Sequence, residues 1–235
     1  MGFHTPAFCV EANLPFIDGE ALVINKPAGL PVSAPRKGGR SLDDYLTDLR
    51  FGFQRAPMPV HRLDQDTSGC LLLARNTKAV KRFGDAFAAA AVDKLYLGVI
   101  AGDLAEDSGT IDFALGKTST QADGWRIVPD TNGKHAVTHW RRVSAHDGFT
   151  LVEFRPETGR THQIRVHALH GLGVALLGDP FYGQPHPSGL MLHASRLGMQ
   201  RAGKADIDAF APLPQRFAAL GFTDAGVAQP EPTDG

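Results

Sequence analysis

Apolar residues fall along the chain in short bursts, most of them too short for a helix and right for a strand. Ala21-Leu22-Val23-Ile24-Asn25 and Cys70-Leu71-Leu72-Leu73-Ala74 are nearly continuous apolar runs, as expected of strands covered on both faces. Leu95 to Ile100 reads as a third strand. Phe149 to Phe154 alternates as a half-exposed strand should. Trp125 to Val128 and Ala136 to Trp140 flank a segment with Asn132-Gly133, which predicts that these two strands pair as a hairpin. Helical spacing is confined to a few places. Val80, Phe83, Phe87 and Ala91 recur every three or four residues, predicting a helix over 77–91 capped by Thr77. Ser41 followed by Asp44 resembles a capping box opening a second helix, and Ile164 to His170 reads as a third. The sum is an α+β fold with a mixed, mostly antiparallel central sheet flanked by helices and loops.

Two polar stretches interrupt this pattern. The first, His61-Arg62-Leu63-Asp64-Gln65-Asp66-Thr67-Ser68-Gly69, lies between Met58-Pro59-Val60 and the Cys70 run, so a polar loop hangs between two buried strands. Its hydroxyls and amides can orient a carboxylate and keep it ionised. The same residues also suit an ordinary turn. The second stretch, Glu157 to His167, places Arg160 and Arg165 among histidines. Arg165, at a helix start, is a candidate partner for Asp64, because a guanidinium holds a carboxylate ionised and aimed. A solvated helix start capped by Thr161 is the plainer alternative.

Composition narrows the classes. With 235 residues, 43% apolar and 21% charged, the chain can bury a sizeable core. No apolar run approaches membrane-spanning length, and the first residues lack a secretory pattern. Two cysteines, Cys9 and Cys70, exclude a disulfide framework and fit a reducing cytoplasm. The net charge of -1 argues against a purely electrostatic nucleic-acid binder, although Arg36, Lys37 and Arg40, and Arg75, Lys78, Lys81 and Arg82, are locally basic. Histidine spacing matches no metal motif. Gly198 to Ala205 mimics a phosphate loop but has Ala205 where a hydroxyl must reach magnesium, so no nucleotide site is expected.

Several blocks together carry a resemblance: Leu22 to Leu30 (LVINKPAGL), HRLDQDTSG at 61–69, Lys94-Leu95-Tyr96, TGRTHQIRVH at 158–167, Gly178-Asp179-Pro180-Phe181-Tyr182-Gly183 and Leu192-His193-Ala194. In this order the chain resembles the RluA-type RNA pseudouridine synthases, with the catalytic domain over 15–222, an irregular extension over 1–14 and a disordered tail over 223–235. The resemblance implies a cleft across the sheet in which uridine in RNA becomes pseudouridine. It implies Asp64, Tyr96 and Arg165 as catalytic residues, with Arg62 filling the place of a flipped nucleotide and Leu192 walling the base pocket. His61 and Thr67, read mainly as loop scaffold, join Lys26 and Arg160 as further candidates on the substrate side. It implies no cofactor or metal, no membrane, a monomer, and a tRNA or 23S rRNA stem-loop as partner. The small S4-type RNA-binding module that often precedes this domain is not expected here. Rival readings are a catalytically idle RNA-binding factor on the same scaffold, and a hydrolase pairing Asp64 with a histidine.

Overall fold

A computed structural model describes residues 14–35, 38–120 and 124–224. The expectations for 1–13, for Arg36 and Lys37, and for the tail from 225 lie outside these residues. Twelve strands are present among them: β1 (Phe16–Ile17), β2 (Ala21–Lys26), β3 (Met58–Pro59), β4 (Ser68–Ala74), β5 (Asp93–Ala101), β6 (Ser108–Asp112), β7 (Leu115–Thr120), β8 (Gly124–Pro129), β9 (Val137–His146), β10 (Phe149–Pro156), β11 (Leu192–Met199) and β12 (Ile207–Phe210). Three α-helices accompany them: α1 (Thr77–Ala88), α2 (Gln163–Gly171) and the short α3 (Gln215–Ala218).

The central sheet runs β1-β2-β4-β11-β5-β10-β9-β6, with β3 added on β4 and β12 on β11. β4 and β11 run parallel and the other pairs are antiparallel, as the mixed-sheet expectation required. The continuous apolar runs explain the middle. Alternate residues of β2 and β4 feed opposite faces: Ala21, Val23, Cys70 and Leu72 pack under α1 with Ala79 and Phe83, while Leu22, Ile24, Leu71 and Leu73 pack with Leu42, Leu49 and Leu63. The two sheet halves meet at a short parallel seam, His193 opposite Ser68 and Ala194 opposite Gly69. Gly69 has φ +110°, and a Cβ there would lie 2.1 Å from the Ala194 carbonyl oxygen. Only glycine permits this approach.

Several local expectations change. α1 stops at Ala88, just before left-handed Ala90, and its cap is Asn76, whose side chain accepts from Ala79 N. Ser41 to Leu46 makes only a 3-10 turn, Leu42–Tyr45, although Asp44 accepts from Ser41 N at 2.7 Å as a capping box requires. β10 is buried on both faces from Thr150 to Phe154, because Leu151 packs in one core cluster, Val152 and Phe154 pack in another, and Arg141 and Arg155 cover Glu153. The Asn132-Gly133 turn exists, with Gly133 N donating to Asp130 O, but it joins no hairpin. β8 pairs with β7 in a separate two-stranded sheet, and β9 pairs with β6 and β10. After the turn, Lys134 exchanges two backbone hydrogen bonds with Leu115, which carries the chain across β7 instead of back along β8.

Candidate active site

The loop bearing Asp64 is stitched in place from below. Lys26, at the end of β2, is fully buried, and its Nζ donates to Pro27 O and Leu30 O at 2.8 Å and Gln65 O at 3.0 Å. Burial pushes its pKa down to about 7 against the charges of Asp66 and Asp64. Lys26 therefore ties two loops together and has no route to a substrate, which corrects the expectation of a binding role. His61 accepts from Leu72 N through Nε2 at 2.8 Å and stacks on Phe87 at 4.4 Å. Burial holds its pKa down to about 3, so it is a neutral strut. It lines a depression beside the main cleft rather than the cleft itself. Thr67 is buried and reaches the cleft wall, with its amide donating to Asp64 O.

From the other side comes α2. Its cap is left-handed His162 (φ 54°), and Thr161 plays no capping part. Gln163 anchors the segment: its amide nitrogen donates to Val137 O and Thr138 Oγ1, and its Oε1 accepts from Thr158 Oγ1 and Arg160 N. Two residues on, Arg165 points inward and is 3% exposed. Its principal partner is Asp179, fully buried, met by two parallel hydrogen bonds of 2.7 and 2.6 Å. The Asp179 Oδ1 also accepts from the amides of Phe181 and Tyr182. Arg165 then extends Nη1 to Asp64 Oδ2 at 3.4 Å. The expected Asp64–Arg165 contact is thus the loose end of a tighter pair. Burial opposes the charge on Arg165, but Asp179 outweighs it and the pKa is raised.

His162 completes the surroundings of Asp64, with Nε2 at 3.7 Å from Oδ2. Burial holds its pKa down to about 4, so the contact is that of a neutral imidazole. Ile127 N donates to the Tyr182 hydroxyl, which lies 2.8 Å from His162 Nδ1. With a carboxylate facing Nε2, this arrangement favours the tautomer in which Tyr182 donates to Nδ1 and Nε2–H faces Asp64.

The cleft brings Arg62, Asp64, Thr67, Tyr96, Arg160, Arg165 and Leu192 onto one lining. Asp64 and Tyr96 are half-buried and Arg62 is exposed at the mouth. Arg160 donates Nε to His135 O, which fixes the rim opposite. Burial first, then the charge of Asp64, push the Tyr96 phenol up, so it stands protonated. Lys94 reaches toward the carbonyls of Glu157 and Thr158 at 3.4 Å. The basic stretch along α1 is mostly committed elsewhere. Arg75 donates to the carbonyls of Asp18, Arg50 and Phe51, Arg82 pairs with Glu20, and Lys81 with Asp85. Gly198 to Ala205 spans the end of β11 and the turn toward β12, where Lys204 pairs with Glu20. Among the described residues no group of three or more His, Cys, Asp or Glu side chains is placed to hold a metal ion, and no helix is long and apolar enough to cross a membrane.

A family model described as RNA pseudouridylate synthase matches residues 20–170. An uncharacterized RNA pseudouridine synthase of Zymomonas mobilis is 53% identical over 210 residues, covering 88% of this chain and 96% of its own. The chain belongs to the RluA-type family of RNA pseudouridine synthases. It is an isomerase acting on RNA. The ribosomal large subunit pseudouridine synthase D of Zymomonas mobilis is 34% identical to this synthase, over 92% of this chain and 74% of that one. Human RNA pseudouridylate synthase domain containing 1 shares its fold at a TM-score of 0.73 and 28% identity, covering 86% of this chain and 83% of that one.

Sequence reasoning overlooked four residues of this site. Asp179 stood in a quoted block without a role, although a lone carboxylate amid Gly-Asp-Pro hints at a turn that presents amides to it. His162 and Tyr182 also stood in the motif blocks, with a histidine set beside Asp64 only in the hydrolase reading, and nothing local points Trp125 toward the cleft.

Proposed function

We propose that this synthase flips one uridine from a structured RNA into the cleft and isomerises it there, with Asp64 as the nucleophilic carboxylate. The C1′–N1 bond breaks, C1′ bonds to C5, the C5 proton leaves and N1 gains one, so RNA length and mass are unchanged. The observation that carries the reading is the Asp64 carboxylate facing buried Arg165, with Tyr96 and Leu192 on the same cleft lining. Arg165 faces the Asp64 carboxylate at 3.4 Å and aims it. Tyr96 and Leu192 hold the base, and exposed Arg62 enters the gap left in the stack. In the free enzyme Tyr96 is a protonated phenol, suited to packing and hydrogen donation; accepting the C5 proton requires the bound intermediate to lower its pKa. The substrate is a tRNA or 23S rRNA stem-loop, and relatives named for the ribosomal large subunit favour the rRNA.

Base-resolution pseudouridine mapping tests this in cells lacking the gene, complemented with wild type or Asp64→Asn. Sites that vanish and return only with wild type are expected. Sites restored by Asp64→Asn would remove Asp64 from the chemistry.

A further inference from the structure

Among the described residues four large hydrophobic side chains are exposed: Phe53, Trp125, Phe181 and Phe210. Phe53 is covered by the Arg75 guanidinium at 3.7 Å. Trp125 and Phe181 form a pair, 40% and 37% exposed, with ring centroids 5.9 Å apart, although one comes from β8 and the other from the turn after Asp179. Neither belongs to the cluster that seats the hairpin, which is built from Leu115, Ile127, Ala136 and Val166 with Phe113 and Tyr182. Arg165 stands 5.1 Å over the Phe181 ring and His162 packs on both, and each ring still keeps over a third of its surface exposed beside the other.

Their surroundings point to an occupant. Lys117 Nζ stands 5.6 Å from the Trp125 ring, and the Arg126 guanidinium 5.5 Å from the Phe181 ring. Neither cation is drawn into an ion pair among the described residues. The pair also adjoins the cleft. His162 packs 5.1 Å from Trp125 and 5.3 Å from Phe181, and its other edge faces Asp64. Aromatic faces interleaved with cations are what a single-stranded nucleic acid requires, one for the base and the other for its phosphates. A base in a duplex offers no free face, so the shelf admits only an unpaired one.

We propose that Trp125 and Phe181 are a stacking shelf for one unpaired nucleobase next along the strand to the target uridine, with Lys117 and Arg126 contacting its phosphates. The inference rests on the reading of Asp64 as the place where the target sits. It defines the substrate class as a uridine whose neighbour is also unstacked, as in a loop.

The protein contains two tryptophans, so Trp140→Phe leaves Trp125 as sole reporter. Its emission is titrated with a nine-nucleotide oligouridine RNA and with an abasic ribose-phosphate strand of the same length. Saturable quenching by the oligouridine alone is expected. By anisotropy of the labelled oligouridine in the Trp140-containing protein, Trp125→Ala and Phe181→Ala should each weaken binding roughly 5- to 100-fold, the range that loss of one stacked base sets, while Trp125→Phe stays near wild type. Equal quenching by the abasic strand, unchanged affinity in Trp125→Ala, or a Trp125-dependent dimer would overturn the shelf. Repeating the titration on Asp64→Asn separates the two readings. Quenching retained there, with pseudouridine still formed in a structured RNA by Asp64→Asn, would remove Asp64 from the chemistry and leave the shelf standing.

Discussion

The β4–β11 seam lies at the cleft and the β7–β8 hairpin at a depression beside it that shares Gly159, Arg160 and Thr161, yet they are held by opposite means. At the seam the buried polar groups are chained to one another, apart from Arg216 Nε, which has no hydrogen-bond partner among the described residues. Arg216 donates to Ser68 Oγ, Ser68 donates to His193 Nδ1, and His193 Nε2–H donates to Ala211 O, a chain that leaves one tautomer. Beside it Asp179 clamps Arg165 with two hydrogen bonds while two backbone amides clamp Asp179. The hairpin, by contrast, has its own small sheet, one apolar cluster beneath it, and Thr118 to Thr120 exposed beyond. It meets the seam's chemistry through one hydrogen bond, Ile127 N to the Tyr182 hydroxyl, and through the ring contacts of Trp125 with His162 and Phe181. The difference fits the proposed tasks: a nucleophilic Asp64 would have to be held to a fraction of an ångström, whereas a surface proposed to receive a flexible strand gains from local adaptability.

If the seam is the rigid partner, breaking its ion pair should be the most costly change. Asp179→Ala leaves Arg165 buried without its counter-charge and should cost about 3–5 kcal/mol of stability, with catalysis lost. Urea midpoints matching wild type would show the pair is not what holds the site.

Acid attacks the seam next. Burial holds the His193 pKa down to about 4 in the folded chain, against an unfolded value near 6.5. Between these values the unfolded chain binds the proton and the folded one does not. Stability is thus complete above about pH 6.5 and declines as pH falls toward 4, by about 3 kcal/mol for this group. Urea unfolding of wild type and His193→Gln across that window should show a smaller decline in the variant; parallel curves would exclude His193 as the source.

Gly69→Ala forces a Cβ onto the Ala194 carbonyl at a positive φ and should cost about 2 kcal/mol or more. A wild-type thermal midpoint would mean that the parallel pairing can yield.

The smallest effect belongs to the hairpin. Tyr182→Phe removes the hydroxyl shared by Ile127 N and His162, and should cost only about 1 kcal/mol while amide exchange in β7 and β8 quickens. Global destabilisation as large as that of Asp179→Ala would erase the contrast between the two regions.

Much of this was legible locally. The unbroken runs at Ala21 and Cys70 read as strands covered on both faces, the spacing through Phe83 read as a helix, and the polar loop at Asp64 stood out because apolar runs bounded it. The failures share a cause. Asn132-Gly133 signals a turn, and a turn does not name the strand that pairs after it; Leu115 decided that. Lys26 in its motif reads as a free cation until three carbonyls close on its ammonium group. Arg165 was legible as a partner of Asp64, but the stronger claim of Asp179 comes from a turn that no local pattern ties to α2.

By itself the sequence determined the core strands β2, β4, β5 and β10, the helices α1 and α2, which loop carries the carboxylate, and which family the motifs resemble, because periodicity, turn chemistry and motif order are local properties. Only the tertiary structure decided that Asp179 rather than Asp64 is the main anchor of Arg165, that His162 turns a neutral nitrogen toward the carboxylate, and that Trp125 and Phe181 meet at the cleft's edge. Those are contacts between segments far apart in the chain, and their distances and burial exist only once the sheet has closed.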